Sequence, residues 1–171
     1  LNSLPAVSDA ARARPGIEID WVVEEAFAAA PAWHPAVSEV IPVNLRRWRR
    51  GFQLGEMGSF IRRLRAKRYD LVIDAQGLVK SALLALLTRG PVSGFDFPSA
   101  REGIASLAYR RHATASWEIH AIDRQRRLFA QALGYPLPET PPDFGLPPPA
   151  RPPQPRLLLL HGTTWETKRW P

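Results

Sequence analysis

YDLVIDAQGLVKSALLALLT, residues 69–88, decides the fold. It opens with Leu71–Ile73, a short apolar run of the β-branched kind that suits a buried strand. It closes with Leu78–Leu87, apolar nearly all round, which predicts a buried helix. Between them sit Asp74, Ala75, Gln76 and Gly77. In an open α/β sheet the loop leaving the carboxyl end of a strand is where ligands bind. Gly77 permits a tight turn there, and Asp74 and Gln76 put polar groups at that edge. The alternative is that Asp74 and Gln76 only cap the helix that follows.

The same alternation extends outward. Leu4, Val7, Ala10 and Ala11 have helical spacing over 3–14, and Pro15-Gly16 stops that helix. Residues 17–23 read as a strand. A short alanine-rich helix over 25–30 follows, ended by Pro31. Val37–Val43 reads as a strand whose Pro42 suggests an edge position. A glycine-punctuated segment, 51–58, leads to a basic amphipathic helix over 59–67 with Phe60, Ile61 and Leu64 inward. Beyond the central stretch, 91–95 reads as a strand, and 101–110 and 116–133 as helices, the last closed by Gly134.

Residues 136–154 contain nine prolines. Such a segment is stiff and extended, with no core of its own. The expected organisation is a Rossmann-like domain over 1–135, a linker over 136–154, and the start of a second domain over 155–171 with a strand at 156–160. Strands alternating with helices predict a parallel α/β sheet. The chain opens within a helix pattern at Leu1 and stops just after a strand, so it reads as a fragment of a longer protein whose first strand precedes Leu1.

Composition narrows the partners. The chain has 171 residues, is 45% hydrophobic and carries a net charge of +7. That is enough chain for a core and argues against disorder. The excess positive charge calls for an anionic partner or solvent. Nucleic acid, an acidic membrane surface and a phosphorylated substrate all satisfy it. There are no cysteines, which excludes disulfides and thiolate chemistry. No apolar run approaches the roughly 20 residues needed to span a bilayer.

Three clusters can carry chemistry. Arg46, Arg47, Arg49 and Arg50 surround Trp48 in a run expected as a loop straight after a strand. Arginine grips phosphate and carboxylate bidentately and keeps its charge, so this is a candidate anion site; the plain alternative is a solvated charge run. A second patch, Arg62 to Arg68, reads as the solvated face of a helix or a weak attraction to anionic headgroups. Thr163, Thr164 and Lys168 follow the 156–160 strand and form a plausible phosphate cradle, without the spacing of a Walker loop. The four histidines lack metal-ligand spacing.

Several stretches together resemble the lipopolysaccharide heptosyltransferases of glycosyltransferase family 9. They are Asp20-Trp21-Val22-Val23-Glu24-Glu25, Val40-Ile41-Pro42-Val43, Arg46-Arg47-Trp48-Arg49, Val72 to Ser81, and Thr163-Thr164 with Lys168 and Trp170-Pro171. The resemblance runs from Leu1 to Pro171 and is nearest to the members that add the first heptose.

It implies an α/β, two-domain GT-B architecture. It implies inverting transfer of L-glycero-D-manno-heptose from ADP-heptose to the Kdo of Kdo-lipid A, at the cytoplasmic face of the inner membrane. No cofactor and no metal are expected, and no nucleic acid as partner. By the resemblance, Arg46, Arg49, Arg50 and Arg101 contact the acceptor, with Arg50 standing where the family has lysine. Asp74 and Gln76 are expected on the acceptor side too. Thr163, Thr164 and Lys168 match positions at the donor phosphates. The family's general base, an aspartate in a Gly-Asp turn, falls upstream of Leu1. The fragment alone is expected to be inactive. The competing readings are a related transferase adding a later core sugar, and a non-catalytic basic module binding nucleic acid or membrane.

Overall fold

The computed structural model describes residues 1–51 and 54–146. Its elements are α1 (Leu4–Ala13), β1 (Ile19–Glu24), α2 (Ala29–Ala32), β2 (Val37–Val43), α3 (Leu45–Arg50), α4 (Leu54–Leu64), β3 (Val72–Asp74), α5 (Val79–Leu86), β4 (Val92–Phe95), β5 (Arg111–Ala113) and α6 (Ala121–Leu133). Two 3-10 turns, Glu25–Phe27 and Gly103–Ala108, complete the order. The strand expected at 156–160 and the residues Thr163, Thr164 and Lys168 lie outside the described residues.

β1 pairs in parallel with β2, and β3, β4 and β5 pair in parallel in that order. Pro42 sits opposite Val23 in a strand with β1 as its partner, which fits the edge position that a residue without an N–H requires. The two sheets share their helix layers. On one side α1 and α6 bury Val7, Ala10, Leu128 and Phe129 against Ile19, Trp21, Ile73 and Phe95. On the other, Phe60 and Leu64 of α4 pack on Ile41, Val43 and Val22, and Leu84 of α5 and Leu87 at its end join them. Alternate strand residues serve opposite layers, as a pleated strand covered on both faces demands.

Strand direction follows from polar ties. Lys67 bonds Asp20 and Glu39 at 2.8 Å each, and Tyr69 Oη donates to Asp20 at 3.0 Å. These partners lie in the amino halves of β1 and β2, while Tyr69 leads into β3. The amino ends of β1, β2 and β3 therefore lie together, and their carboxyl ends share the other rim.

Six expectations need correction. The helix expected over 59–67 is α4, which starts at Leu54 inside the glycine-punctuated segment, and the helix expected over 101–110 is only the 3-10 turn Gly103–Ala108. The Arg46–Arg50 run is the helix α3, not a loop: Asn44 Oδ1 accepts from Arg47 N at 3.1 Å and caps it, as an N-cap asparagine does. The helix over 25–30 is split into a 3-10 turn and α2, and α2 contains Pro31 in its first turn, where a missing N–H costs no helical bond. α6 starts at Ala121, with His120 as its cap, rather than at 116. Finally, α5 is not buried all round: Val79, Leu83 and Leu86 are exposed.

Gly94 is fixed by packing. A Cβ there would lie 2.3 Å from the Tyr109 ring. Gly94→Ala is expected to cost about 1–3 kcal/mol, the usual penalty of overpacking, read as a lower denaturation midpoint.

His34 ties three segments. Its Nδ1 accepts from Ala36 N at 3.1 Å, so Nε2 carries the proton and donates to Ser8 Oγ at 2.8 Å. Burial lowers its pKa from 6.5, with Asp143 partly opposing. The unfolded chain then binds the proton more readily than the native state. Stability is full above the ordinary histidine value and falls as pH drops through it toward the lower native value. Denaturation midpoints measured from about pH 7.5 to about pH 5 should fall, and His34→Gln should flatten that part of the profile.

Candidate functional site

The carboxyl rim is built from Asp74 outward. Asp74 Oδ1 accepts from Gln76 N at 2.9 Å and Gly77 N at 3.2 Å, and Oδ2 accepts from Ser81 Oγ at 2.8 Å and Tyr109 Oη at 2.7 Å. The carboxylate is 5% exposed. Its four donors match the four lone-pair sites of a carboxylate, so Asp74 holds the turn together and does not cap α5, whose first amide, Val79 N, donates to Glu102. Tyr109 answers in kind: burial, then its bond to Asp74, raises the phenol pKa. The tyrosine stays protonated and keeps donating. Gln76 is exposed at the turn.

Gly77 has φ +63, a conformation that favours glycine. Its open side faces the backbone of 100–101: a Cβ would meet Arg101 N at 3.1 Å and Ala100 Cα at 3.3 Å. Glu102 N donates to Gly77 O at 2.9 Å, and Glu102 Oε2 accepts from Val79 N at 2.7 Å. Arg101 is thereby clamped to the mouth of the 74–77 turn, with its side chain exposed.

The loop carrying Arg101 is braced from below. Arg124 donates to Ser99 O at 2.6 Å and Ala115 O at 2.6 Å, and its guanidinium lies 3.8 Å from the Trp117 ring centre. Asp96 accepts from Ser99 N and Thr114 Oγ1. Gln125 Nε2 donates to Ala75 O at 2.9 Å, tying α6 to the turn itself. Sequence reasoning missed Tyr109, Arg124 and Gln125. For Arg124 a signal existed: it stands four residues before Leu128 and shares its inward helix face.

The same rim carries α3, which follows the carboxyl end of β2. A cavity of about 290 Å³ opens there, lined among others by Asn44, Arg47, Trp48, Ser59 and Phe60. Arg47 pairs with Glu56 at 2.5 Å, and Asn44 donates to Glu25 at 2.7 Å. Trp48 stacks edge-on against Phe60, and its Nε1 is buried with no partner among the described residues. The structure places Arg46, Arg49 and Arg50 in α3 by their backbone. A larger hollow, about 640 Å³, lies between α1 and residues 135–143 and includes none of the expected site residues.

Among the described residues no cluster of three or more histidines and carboxylates could hold a metal ion, and no helix is long and apolar enough to cross a membrane.

Residues 57–171 match the family model for glycosyltransferase family 9 (heptosyltransferase). The chain belongs to glycosyltransferase family 9. It is 55% identical over 180 residues to the lipopolysaccharide heptosyltransferase 1 of Pseudomonas aeruginosa, covering 100% of this chain and 51% of that protein. It is 45% identical to the protein of the same description from Escherichia coli K12, covering 57% of it. Among solved structures, E. coli heptosyltransferase WaaC with ADP matches 99% of this chain and 56% of that one, with TM-score 0.93 and 45% identity. The structure with ADP-2-deoxy-2-fluoro heptose gives 0.92. The chain thus spans about half the length of the curated relatives it matches. The family 9 fold confirms the expected Rossmann-like parallel α/β class.

Proposed function

We propose that the protein carrying this chain is an inverting heptosyltransferase. It transfers L-glycero-D-manno-heptose from ADP-heptose to the Kdo of Kdo-lipid A during assembly of the lipopolysaccharide inner core. The carrying observation is the 55% identity across the whole chain to a lipopolysaccharide heptosyltransferase 1. That identity favours first-heptose transfer over a later core sugar; the structure of E. coli heptosyltransferase II, at 21% identity and TM-score 0.58, speaks to the fold alone.

In this reading residues 1–135 capture the acceptor, 136–154 connect, and 155–171 begin the donor-binding half. Arg46, Arg49 and Arg50 of α3 and Arg101 beside the 74–77 turn grip the Kdo carboxylate and nearby phosphates. Guanidinium groups suit both anions. Gln76 contributes at the same mouth, and Asp74 shapes it. A carboxylate base upstream of Leu1 takes the proton from a Kdo hydroxyl. The hydroxyl oxygen bonds to the anomeric carbon as the bond from that carbon to the diphosphate breaks, and ADP leaves from the opposite face. Thr163, Thr164 and Lys168 stabilise the charge that gathers on the diphosphate. The donor is a substrate, and no cofactor enters. The protein works at the cytoplasmic face of the inner membrane, where its lipid acceptor is anchored.

The test is transfer by the intact protein, followed as ADP release and as mass gain of the acceptor. Replacing Arg46, Arg49 and Arg50 together by glutamine should raise the acceptor KM about tenfold or more while leaving the ADP-heptose KM within about twofold, since rim charge pairs act on ground-state binding. An unchanged acceptor KM would remove the cluster from this role. Absence of transfer by the unaltered protein would remove the function.

A further inference from the structure

α5 presents an unpartnered apolar ridge. Its contacts divide it cleanly. Ala82 and Ala85 pack toward Ala105 and Tyr109 at the 103–108 turn. Leu84 and Leu87 pack toward Phe60 and Leu64 of α4. Val79, Leu83 and Leu86, spaced i, i+4 and i+7, are left on the remaining outer face, with Leu83 58% and Leu86 54% exposed. Beside them, Ile104 and Leu107 are 66% and 82% exposed. They stand three apart on a 3-10 turn, so they project together. Five large apolar side chains exposed on two packed elements make an apolar face of the kind that marks an interaction surface.

The surrounding charge is mainly positive, although Asp70, next to Tyr69 whose N donates to Arg89 O, is exposed there too. Lys80 lies in the first turn of α5 and Arg89 just past its end; Arg110 follows the 103–108 turn; Arg65 and Arg68 lie at and beyond the end of α4. All are exposed, and none forms an ion pair with another described residue. Glu102 is the carboxylate beside Val79, with one oxygen bonded to Val79 N; the cations outnumber the two carboxylates. An apolar strip rimmed by long cationic side chains fits an anionic lipid surface: the apolar groups enter the acyl boundary and the cations stay at the headgroups.

The patch also begins at the candidate site, because Val79 and Glu102 belong to the clamp that holds Arg101 at the turn. We propose that the α5 and 103–108 face docks on an anionic bilayer and brings the rim at Asp74–Gly77 to the membrane surface. This rests on the reading of the acceptor as a membrane-anchored glycolipid.

The test uses the intact protein and vesicles of phosphatidylcholine with or without phosphatidylglycerol. Cosedimentation with the anionic vesicles is expected. Leu83→Gln with Leu107→Gln should lower the bound fraction about tenfold, and Lys80→Glu with Arg110→Glu should weaken binding to the anionic vesicles alone. Transfer to a deacylated, water-soluble acceptor should be unchanged in both variants, while transfer to acceptor embedded in vesicles falls. Vesicle binding by the glutamine variant equal to that of the unaltered protein would overturn the inference. So would a lower melting temperature in that variant, which would place the face under another part of the protein, or loss of a dimer, which would make it a contact between copies. If the unaltered protein binds vesicles but transfers nothing to the soluble acceptor, the transferase reading fails and the docking face stands.

Discussion

Asp74→Ala should destabilise the protein by about 4 kcal/mol, from the loss of charge-assisted hydrogen bonds at a buried carboxylate. The substitution removes the acceptor for four donors. Ser81 Oγ keeps its bonds at Leu78. Tyr109 Oη does not: it is left buried and unpaired, at about 1–3 kcal/mol. Gly77 N loses its partner in the same place. Against a native stability of about 5–15 kcal/mol this is a large fraction, and it falls on the turn against which Arg101 is clamped. Chemical denaturation gives the stability, and acceptor KM gives the consequence for the rim.

Asp74→Asn separates shape from contact. It keeps the acceptor for the turn amides and presents an amide to two hydroxyl groups that can rotate to accept. A loss of about 1–2 kcal/mol with near-normal acceptor binding would assign Asp74 to holding the turn. Full stability with lost acceptor binding would instead assign the carboxylate to the ligand.

Asp9→Ala is expected to cost a further order of the same size, about 3–5 kcal/mol, because it strands a buried guanidinium. Arg126 Nε donates to Asp9 Oδ2 at 2.6 Å, and the two side chains are 6% and 0% exposed. This pair joins α1 to α6 across the layer that backs β1, β3 and β4. Arg126 also donates to Pro138 O and Thr140 O, so it seats the first part of the proline-rich segment. The double variant Asp9→Leu, Arg126→Met should recover most of the loss, since an apolar pair of similar volume is often neutral where an unpaired charge is not. A double variant as unstable as the single one would show that the backbone bonds at 138 and 140, and not the ion pair, hold this layer together.

The sequence carried the parts of this protein that are set by neighbours along the chain. Leu71–Ile73 and the turn at Asp74–Gly77 could be read because strand propensity, a glycine with positive φ and a helix start follow one another within a few residues. Gly134 closes α6 for the same local reason. The family, too, was legible, since its motifs are short and ordered. α3 escaped because an arginine run has no apolar period; its helix is declared by one capping asparagine. β5 escaped because Arg111–Ala113 has no strand pattern of its own and becomes a strand only by pairing with β4.

Tertiary structure alone decided which polar groups are spent and which are free. Asp9 and Arg126 look in sequence like any charged residue on a helix, yet each is buried and bonded to the other, 117 positions away. The outer leucines of α5 show the converse. Apolar composition says that a face avoids water, but only the packing of α4 and the 103–108 turn on either side shows which face the molecule leaves uncovered. Local order follows from backbone geometry and side-chain shape at close range, whereas burial depends on what distant segments bring to the same place.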